Sequence, residues 1–212
     1  WVTGVEYLQV NSLSGTLESR LVTVTPLSVS STQGDLLEVT ALLNREVLRQ
    51  PFTFPGGLTT AAGDYNFNRV KASLQTVGFR KLALTLEGEA GNFFDGRRFD
   101  TRLGMSWQPN RYLLLRGQYA TNRLDLPAGA FTARVYALTG NLAITPRWAW
   151  LNLAQYDNVS RRLGVNSRIR WVPTLGQVAY VVVNRDWLED VGGGLSPTRG
   201  EVTVKASYTF RW

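Results

Sequence analysis

Over residues 201–212 the chain sets Val202, Val204, Ala206, Tyr208, Phe210 and Trp212 at every second position, with Glu201, Thr203, Lys205, Ser207, Thr209 and Arg211 between them. Successive side chains of an extended strand point to opposite faces. One surface of this segment is therefore wholly apolar and the other wholly polar, whereas a helix would scatter both sets around its circumference. The same period of two recurs upstream. Phe99, Leu103, Met105 and Trp107 oppose Arg98, Asp100, Arg102, Ser106 and Gln108. Leu82, Leu84, Leu86 and Ala90 oppose Lys81, Thr85, Glu87 and Glu89, and Val39, Ala41 and Leu43 oppose Glu38, Thr40, Asn44 and Glu46. Helical periodicity is absent.

Pro, Gly, Asn and Asp punctuate the chain between segments rich in Val, Leu, Thr, Tyr and Trp, which predicts twelve strands. They fall near 2–10, 16–25, 36–47, 65–76, 81–93, 98–108, 111–124, 131–144, 149–157, 163–172, 178–187 and 201–212. In 149–157 either Ala149, Leu151 and Leu153 or Trp150, Asn152 and Ala154 can form the apolar face. Strands 2–10 and 16–25 alternate poorly, with Glu6, Glu18 and Arg20 among apolar neighbours.

Charged residues make up 18% of the chain, against about 25% in soluble domains. The longest apolar run, Val178–Val183, falls far short of the ~20 residues that a spanning helix needs. A membrane protein without such a helix must close its strands into a barrel, because lipid cannot satisfy free backbone groups. A soluble sandwich also alternates but turns its apolar face inward. Two features favour the barrel. Connections mostly alternate between short turns (Gly78–Arg80, Pro109–Asn110, Pro146–Arg147, Pro173–Gly176, and a less tidy one near Ser28–Gly34) and a set containing the long Gln50–Asp64 and Leu188–Gly200, plus Asp125–Ala130, with two short members around Asp95-Gly96 and Ser160–Arg162. Outer-membrane barrels pair short periplasmic turns with longer external loops in this way. In addition, Trp1, Trp107, Trp148, Trp150, Trp171 and Trp212 lie at strand ends on one side. Trp187 lies at the other, near Phe52, Phe54, Tyr65, Phe67, Phe93, Phe94, Phe99 and Phe131. These sets are expected as two interfacial girdles. The predicted fold is an all-β, antiparallel transmembrane β-barrel of about twelve strands in the bacterial outer membrane, with periplasmic termini. Residues 1–212 are expected to form one barrel, the C-terminal part of a longer exported protein, with the export signal upstream.

Little points to catalysis. The chain has no Cys and no His, which removes thiolate chemistry and the usual general base. Glu87 and Glu89 share a face as glycosidase carboxylates do, but pairing with Lys81 or Arg102 is the stronger expectation. Asp64, Asp95 and Asp125 come from different loops and read as turn residues rather than a cation site. The net charge of +7 is dispersed singly, without the patch that nucleic acid requires. No catalytic residue, metal, cofactor or nucleic-acid partner is expected, and the sequon at Asn158-Val159-Ser160 carries no weight in such a barrel.

From Gly34 to the end the chain resembles the C-terminal barrel of the domain-of-unknown-function 5916 family. The resemblance is carried by Ala62-Gly63-Asp64-Tyr65-Asn66-Phe67-Asn68-Arg69 and Gly91-Asn92-Phe93-Phe94-Asp95-Gly96. It continues through Asn122-Arg123-Leu124-Asp125-Leu126-Pro127 with Phe131-Thr132, then Arg168-Ile169-Arg170-Trp171, Val183-Asn184-Arg185 and Val204–Trp212. It implies an outer-membrane protein whose longer relatives carry a periplasmic carbohydrate-binding, family-9-like domain before the barrel. It implies no catalytic residues.

Three groups of functional residues follow. Glu38, Lys71, Lys81, Glu87, Glu89, Arg98, Asp100, Arg102, Arg116, Arg168, Arg170, Lys205 and Arg211 are expected to line a polar, basic-leaning lumen. At twelve strands the bore is intermediate, so a permeable path and a lumen plugged by ion pairs both stand. Tyr208, Phe210 and Trp212 resemble the signal read by the outer-membrane assembly machinery through strand addition. Trp107, Trp148, Trp171 and Trp187 are expected at the lipid interfaces. The expected partners are outer-membrane lipid, that machinery and other envelope proteins. The leading functional expectation is a passive pore or transport-related barrel. Its rivals are a non-conducting anchor or complex subunit and a soluble sugar-binding sandwich.

Overall fold

In a computed structural model the described residues run from Trp1 to Thr209. Fourteen strands are present among them: β1 (Val2–Asn11), β2 (Leu17–Ser30), β3 (Leu36–Leu48), β4 (Phe52–Thr53), β5 (Thr59–Thr60), β6 (Gly63–Gln75), β7 (Leu82–Phe93), β8 (Gly96–Trp107), β9 (Leu113–Leu126), β10 (Gly129–Ala143), β11 (Trp148–Asp157), β12 (Arg162–Trp171), β13 (Gln177–Glu189) and β14 (Leu195–Tyr208). The twelve long strands form a single antiparallel sheet in chain order, and β4 and β5 form a separate ribbon.

All twelve predicted strands are present, and the differences have local causes. β2 runs on past Pro26 to Ser30 because the register shifts between Val24 and Leu27. A residue without an N–H is tolerated at such a bulge. β14 begins at Leu195, so the long loop expected over Leu188–Gly200 contracts to a turn in which the Asp190 N–H donates to the Gly194 carbonyl (2.8 Å). Pro197 again sits at a register shift, opposite Trp187. In both places proline reads as a strand end but occupies a bulge.

The sheet is open where a closed ring was expected: among the described residues β1 pairs with β2 alone and β14 with β13 alone. β1 alternates poorly, so little in its side chains dictates a register on its free edge.

The chain divides into two compact units. Unit 1 comprises Trp1–Val77, Leu84–Leu103 and Ala120–Ala133; unit 2 comprises Gly78–Ala83, Gly104–Tyr119 and the chain from Arg134 onward. In each, register sorts the side chains into a polar and an apolar face. In unit 1, Lys71 pairs with Thr40 and Glu89, and Ser73 with Glu38 and Glu87. The opposite face carries Val39, Ala72 and Gly88, then Val70 and Ala90. In unit 2, Lys205 pairs with Tyr180, and Tyr180 with Arg170, while Val204, Val181 and Ile169 share the other face. The ambiguity in β11 is settled by its partners. Trp150, Asn152, Ala154 and Tyr156 pair with Leu142, Gly140, Leu138 and Tyr136 on the apolar face, so Ala149, Leu151 and Leu153 lie on the polar one.

Burial is inverted relative to a sandwich. Thr40, Asn44 and Phe67 on the polar face are buried, whereas Val70 (55% exposed), Met105 (50%) and Val204 (72%) on the apolar face are open. Each large apolar side chain left in water forgoes roughly 1.5–3 kcal/mol.

Close strand approach fixes where side chains are forbidden. A Cβ at Gly96 would lie 2.1 Å from the Asp125 carbonyl oxygen, while one at Gly88 meets nothing within 4 Å. Gly96→Ala is expected to destabilise the fold by about 1–3 kcal/mol, the usual cost of overpacking. Gly88→Ala should stay within about 0.5 kcal/mol. Thermal unfolding followed by circular dichroism checks both.

Candidate functional site

The charged side chains of the polar face come together in unit 1 as a ladder of ion pairs. Arg69 Nη1 lies 2.5 Å from Glu89 Oε1, and Lys71 Nζ lies 3.1 Å from Glu87 Oε2. The second oxygen of Glu87 meets Arg102 Nη1 at 3.2 Å. Arg98 Nε donates to Asp100 at 2.6 Å, and Asn122 Nδ2 donates to the other oxygen of that carboxylate at 2.8 Å. The Arg69–Glu89 pair is largely withdrawn from solvent. Removing one partner from such a pair leaves an uncompensated charge, which is what makes these pairs costly to break. Glu87 and Glu89 are thus held by Lys71, Arg102 and Arg69. Arg102 answers the expectation, but Lys81 is not a partner: it lies in the turn before β7, where its carbonyl accepts from the Gln108 N–H (2.7 Å). Glu38 lies on the same face, opposite Ser73.

Directly beside the ladder sits an apolar cap. The ribbon β4–β5, in which Thr60 is fully buried, places Leu58 against Phe67, Phe93, Leu124 and Leu126, with Phe54, Tyr65, Phe94 and Phe131 packed around them. The rings meet edge-on or tilted: Phe67–Phe93 at 5.4 Å, Phe93–Phe94 at 4.7 Å and Phe54–Phe93 at 5.6 Å. The guanidinium groups of Arg69 and Arg98 lie 5.8 and 5.1 Å from the Phe93 ring centre, linking cap to ladder by cation–π contacts. Gly56 (φ +88°) makes the turn, and a Cβ there would lie 2.3 Å from the Phe131 ring. This corrects the expected second girdle. Phe54, Tyr65, Phe67, Phe93, Phe94 and Phe131 form a core on the polar-face side, because the loop folds back to cover them; Phe52 and Phe99 stay exposed. The signal was present in the loop itself: two short Thr- and Phe- or Leu-containing runs flank Pro55-Gly56-Gly57, a hairpin pattern.

In unit 2 the polar face is less fully paired. Arg162, Asn166, Arg168 and Arg170 line β12, with Asn184 and Asp186 on β13 and Arg199, Glu201, Thr203 and Lys205 on β14. A cavity of about 470 Å³ is lined by Gln155, Asp157, Arg162, Asn166, Asn184, Asp186, Arg199 and Glu201. Asn166 donates to Asn184 (2.5 Å), Arg199 pairs with Glu201 (2.6 Å), and Asp157 accepts from the Val159 N–H (2.8 Å). Arg168 packs over Tyr180 at 5.6 Å. Arg170 Nε is buried without a partner among the described residues, beside a second cavity of about 220 Å³ that also holds Gln108, Arg111 and Asn141. Arg116 is exposed. Bases outnumber acids on this face of unit 2, whereas in unit 1 Glu6, Glu38, Glu46, Glu87, Glu89 and Asp100 outnumber Arg69, Lys71, Arg98 and Arg102. The basic lean is local, not general.

On the apolar face Trp148 and Trp171 stack at 5.4 Å, and Trp107 is exposed. Tyr119, Tyr136 and Tyr156 form a row with ring separations of 4.9 and 6.2 Å. Trp148 and Tyr156 lie eight residues apart on β11, roughly 26 Å along the strand at ~3.3 Å per residue. Trp187 shares the Tyr156 end, with Arg185 over its ring at 5.6 Å. Asn152, the one amide amid this face of β11, is satisfied locally. It donates to the Gly140 carbonyl (3.2 Å) and accepts from Ser167 (2.8 Å), which in turn accepts from Trp150 Nε1 (2.8 Å). Tyr208 is exposed on β14. Phe210, Arg211 and Trp212 lie outside the described residues.

Of the three aspartates read as turn residues only Asp95 lies in a turn, where it accepts from Thr60 (3.4 Å); Asp64 stands in β6 and pairs with Arg45 (2.6 Å), and Asp125 stands in β9 and pairs with Arg123 (2.9 Å). Among the described residues no group of three or more acidic side chains is placed to hold a metal ion.

Leu58→Ala is expected to loosen the cap, since such truncations cost about 2–5 kcal/mol. Limited trypsinolysis after Arg49 should accelerate by roughly tenfold or more. Val191→Ala, at a side chain 94% exposed in unit 2, should leave the rate unchanged.

No family model and no curated protein matches the chain. Among solved structures it is similar to a NanC porin in a rhombohedral crystal form, at 12% identity and a TM-score of 0.37, over 91% of this chain and 94% of that one. Nothing about solute or mechanism follows from a likeness at that level.

Proposed function

We propose that the chain is an outer-membrane β-barrel providing a passive path for small polar solutes. The observation that carries this reading is the inverted burial: charged side chains gather on the covered face of each unit while large apolar ones stand open on the other. Lipid is the solvent that makes such an arrangement favourable, and it also demands that every backbone group be paired. The free edges of β1 and β14 must then each find a partner strand. The Trp107, Trp148 and Trp171 end is the periplasmic one in this reading, and the cap with its long loop is external. Tyr208, with the residues that follow it, serves recognition by the assembly machinery.

Selectivity follows from the polar face of unit 2, where bases prevail, so anions are the favoured solutes. The expected measurement is a reversal potential of anion-selective sign across a salt gradient in planar bilayers. Arg168→Glu together with Arg170→Glu should shift it toward or past zero. Cation selectivity in the parent protein would reject the reading.

A second reading has its own observation. The cap and the ion-paired ladder in unit 1 resemble a packed interior more than a pathway. A folded, membrane-inserted protein that passes no current would identify a non-conducting anchor or envelope subunit instead.

A further inference from the structure

The apolar face of unit 1 is not uniform along its length. Toward the β2–β3 turn it carries Leu27, Leu37, Leu74, Leu84 and Leu103. At the opposite end, beside the β1–β2 turn and the capped loop, the same face turns ionic. Arg45 pairs there with Asp64 and Arg49 approaches Glu18 at 3.7 Å. On β8 and β9 the change coincides with a cavity of about 500 Å³, lined by Ala90, Asn92, Arg97, Phe99, Arg123 and Asp125. Arg123 grips Asp125 through Nε (2.9 Å) and Nη2 (3.2 Å), leaving Nη1 available. Arg97 has no ion pair or hydrogen bond among the described residues. Ala90 and the half-exposed Phe99 supply an apolar floor next to these cations.

We infer that this groove binds the phosphorylated headgroup of an outer-leaflet lipid, with Arg97 and Arg123 on the phosphate and Phe99 and Ala90 under the first acyl segment. The inference rests on the membrane reading above and adds a site to it. A guanidinium recognises phosphate through paired N–H donors, and the strand places both arginines where an apolar belt gives way to charge. A free phosphate would match the cations but has no use for the floor, and a zwitterionic lipid would match the floor while offsetting the charge. Asp125 limits the site to a ligand that draws on Arg97 first.

The test uses the full chain, folded in a non-ionic detergent and titrated with bisphosphorylated lipid A, its dephosphorylated form, phosphatidylcholine and inorganic phosphate, with bound lipid counted by native mass spectrometry. Bisphosphorylated lipid A should be retained preferentially. Arg97→Gln with Arg123→Gln should weaken retention roughly tenfold or more, as expected for losing charge-assisted hydrogen bonds, and Arg97→Lys should restore part of it. Arg147→Gln, in a turn of unit 2, should change nothing. Flotation with lipid vesicles separates the two ways of failing. A protein that never floats overturns the membrane reading and this site with it. A protein that floats but retains all lipids alike, or retains lipid A undiminished in the double variant, overturns the site alone. Displacement of lipid A by inorganic phosphate at equal concentration would also overturn it, since the apolar floor would then contribute nothing.

Discussion

The hydrogen-bonded ladder between neighbouring strands is the interaction on which everything else here depends. Once β6 is paired in register with β3 and β7, the position of every side chain is settled to one of two faces, and a slip of one residue would exchange them. This register sets Lys71 diagonally across from Glu87 and Arg69 diagonally across from Glu89, within reach of their long side chains. The ladder of ion pairs is therefore a consequence of backbone pairing rather than its cause. The same holds for the cap, since Phe67 and Phe93 are presented to the folded-back ribbon only because they share parity with Arg69 and Glu89.

This ordering also explains why the apolar face accepts a few polar groups. Asn152 and Ser167 stand among Trp150, Ala154 and Ile169, yet they close a short chain of hydrogen bonds with the Trp150 indole and the Gly140 carbonyl. A polar group costs little in an apolar setting once its partners are supplied. The register brings Asn152 and Ser167 directly opposite one another, so the sheet supplies those partners itself.

How much of this was legible beforehand varied with the local pattern. The alternation in β7, β8 and β14 was unambiguous, and within the strands the described residues keep those faces, although Lys81 and Gln108 fall in turns. β11 was not legible alone because its two candidate faces are comparably apolar; only pairing with Tyr136, Leu138 and Leu142 decides between them. Proline misled at both ends of the chain, since Pro26 and Pro197 occupy bulges inside strands. The aromatic residues near the long loop were misread for a different reason. Their position along the strand suggested a girdle, but their parity already matched the charged set, and parity is the stronger constraint. The partners of Glu87 and Glu89 were half legible, as Arg102 follows from the β7–β8 hairpin whereas Lys71 requires knowing that β6 is the other neighbour.

The two units put the same face to different use, and the difference bears on what a path through such a protein would feel. In unit 1 Glu87, Glu89 and Asp100 are held by cations and an aromatic cluster covers the loop end, while Glu6, Glu38 and Glu46 leave that face with an acidic excess. In unit 2 Arg162, Arg168, Lys205 and Asp186 stand on a face whose cavity is lined mainly by amides and charged groups. Pairing neutralises a face; excess on one sign polarises it. The basic excess therefore belongs to unit 2, even though unit 1 holds the denser array of ionised groups. Counting inward charges over the whole chain hides this, because the acidic excess of one unit offsets the basic excess of the other.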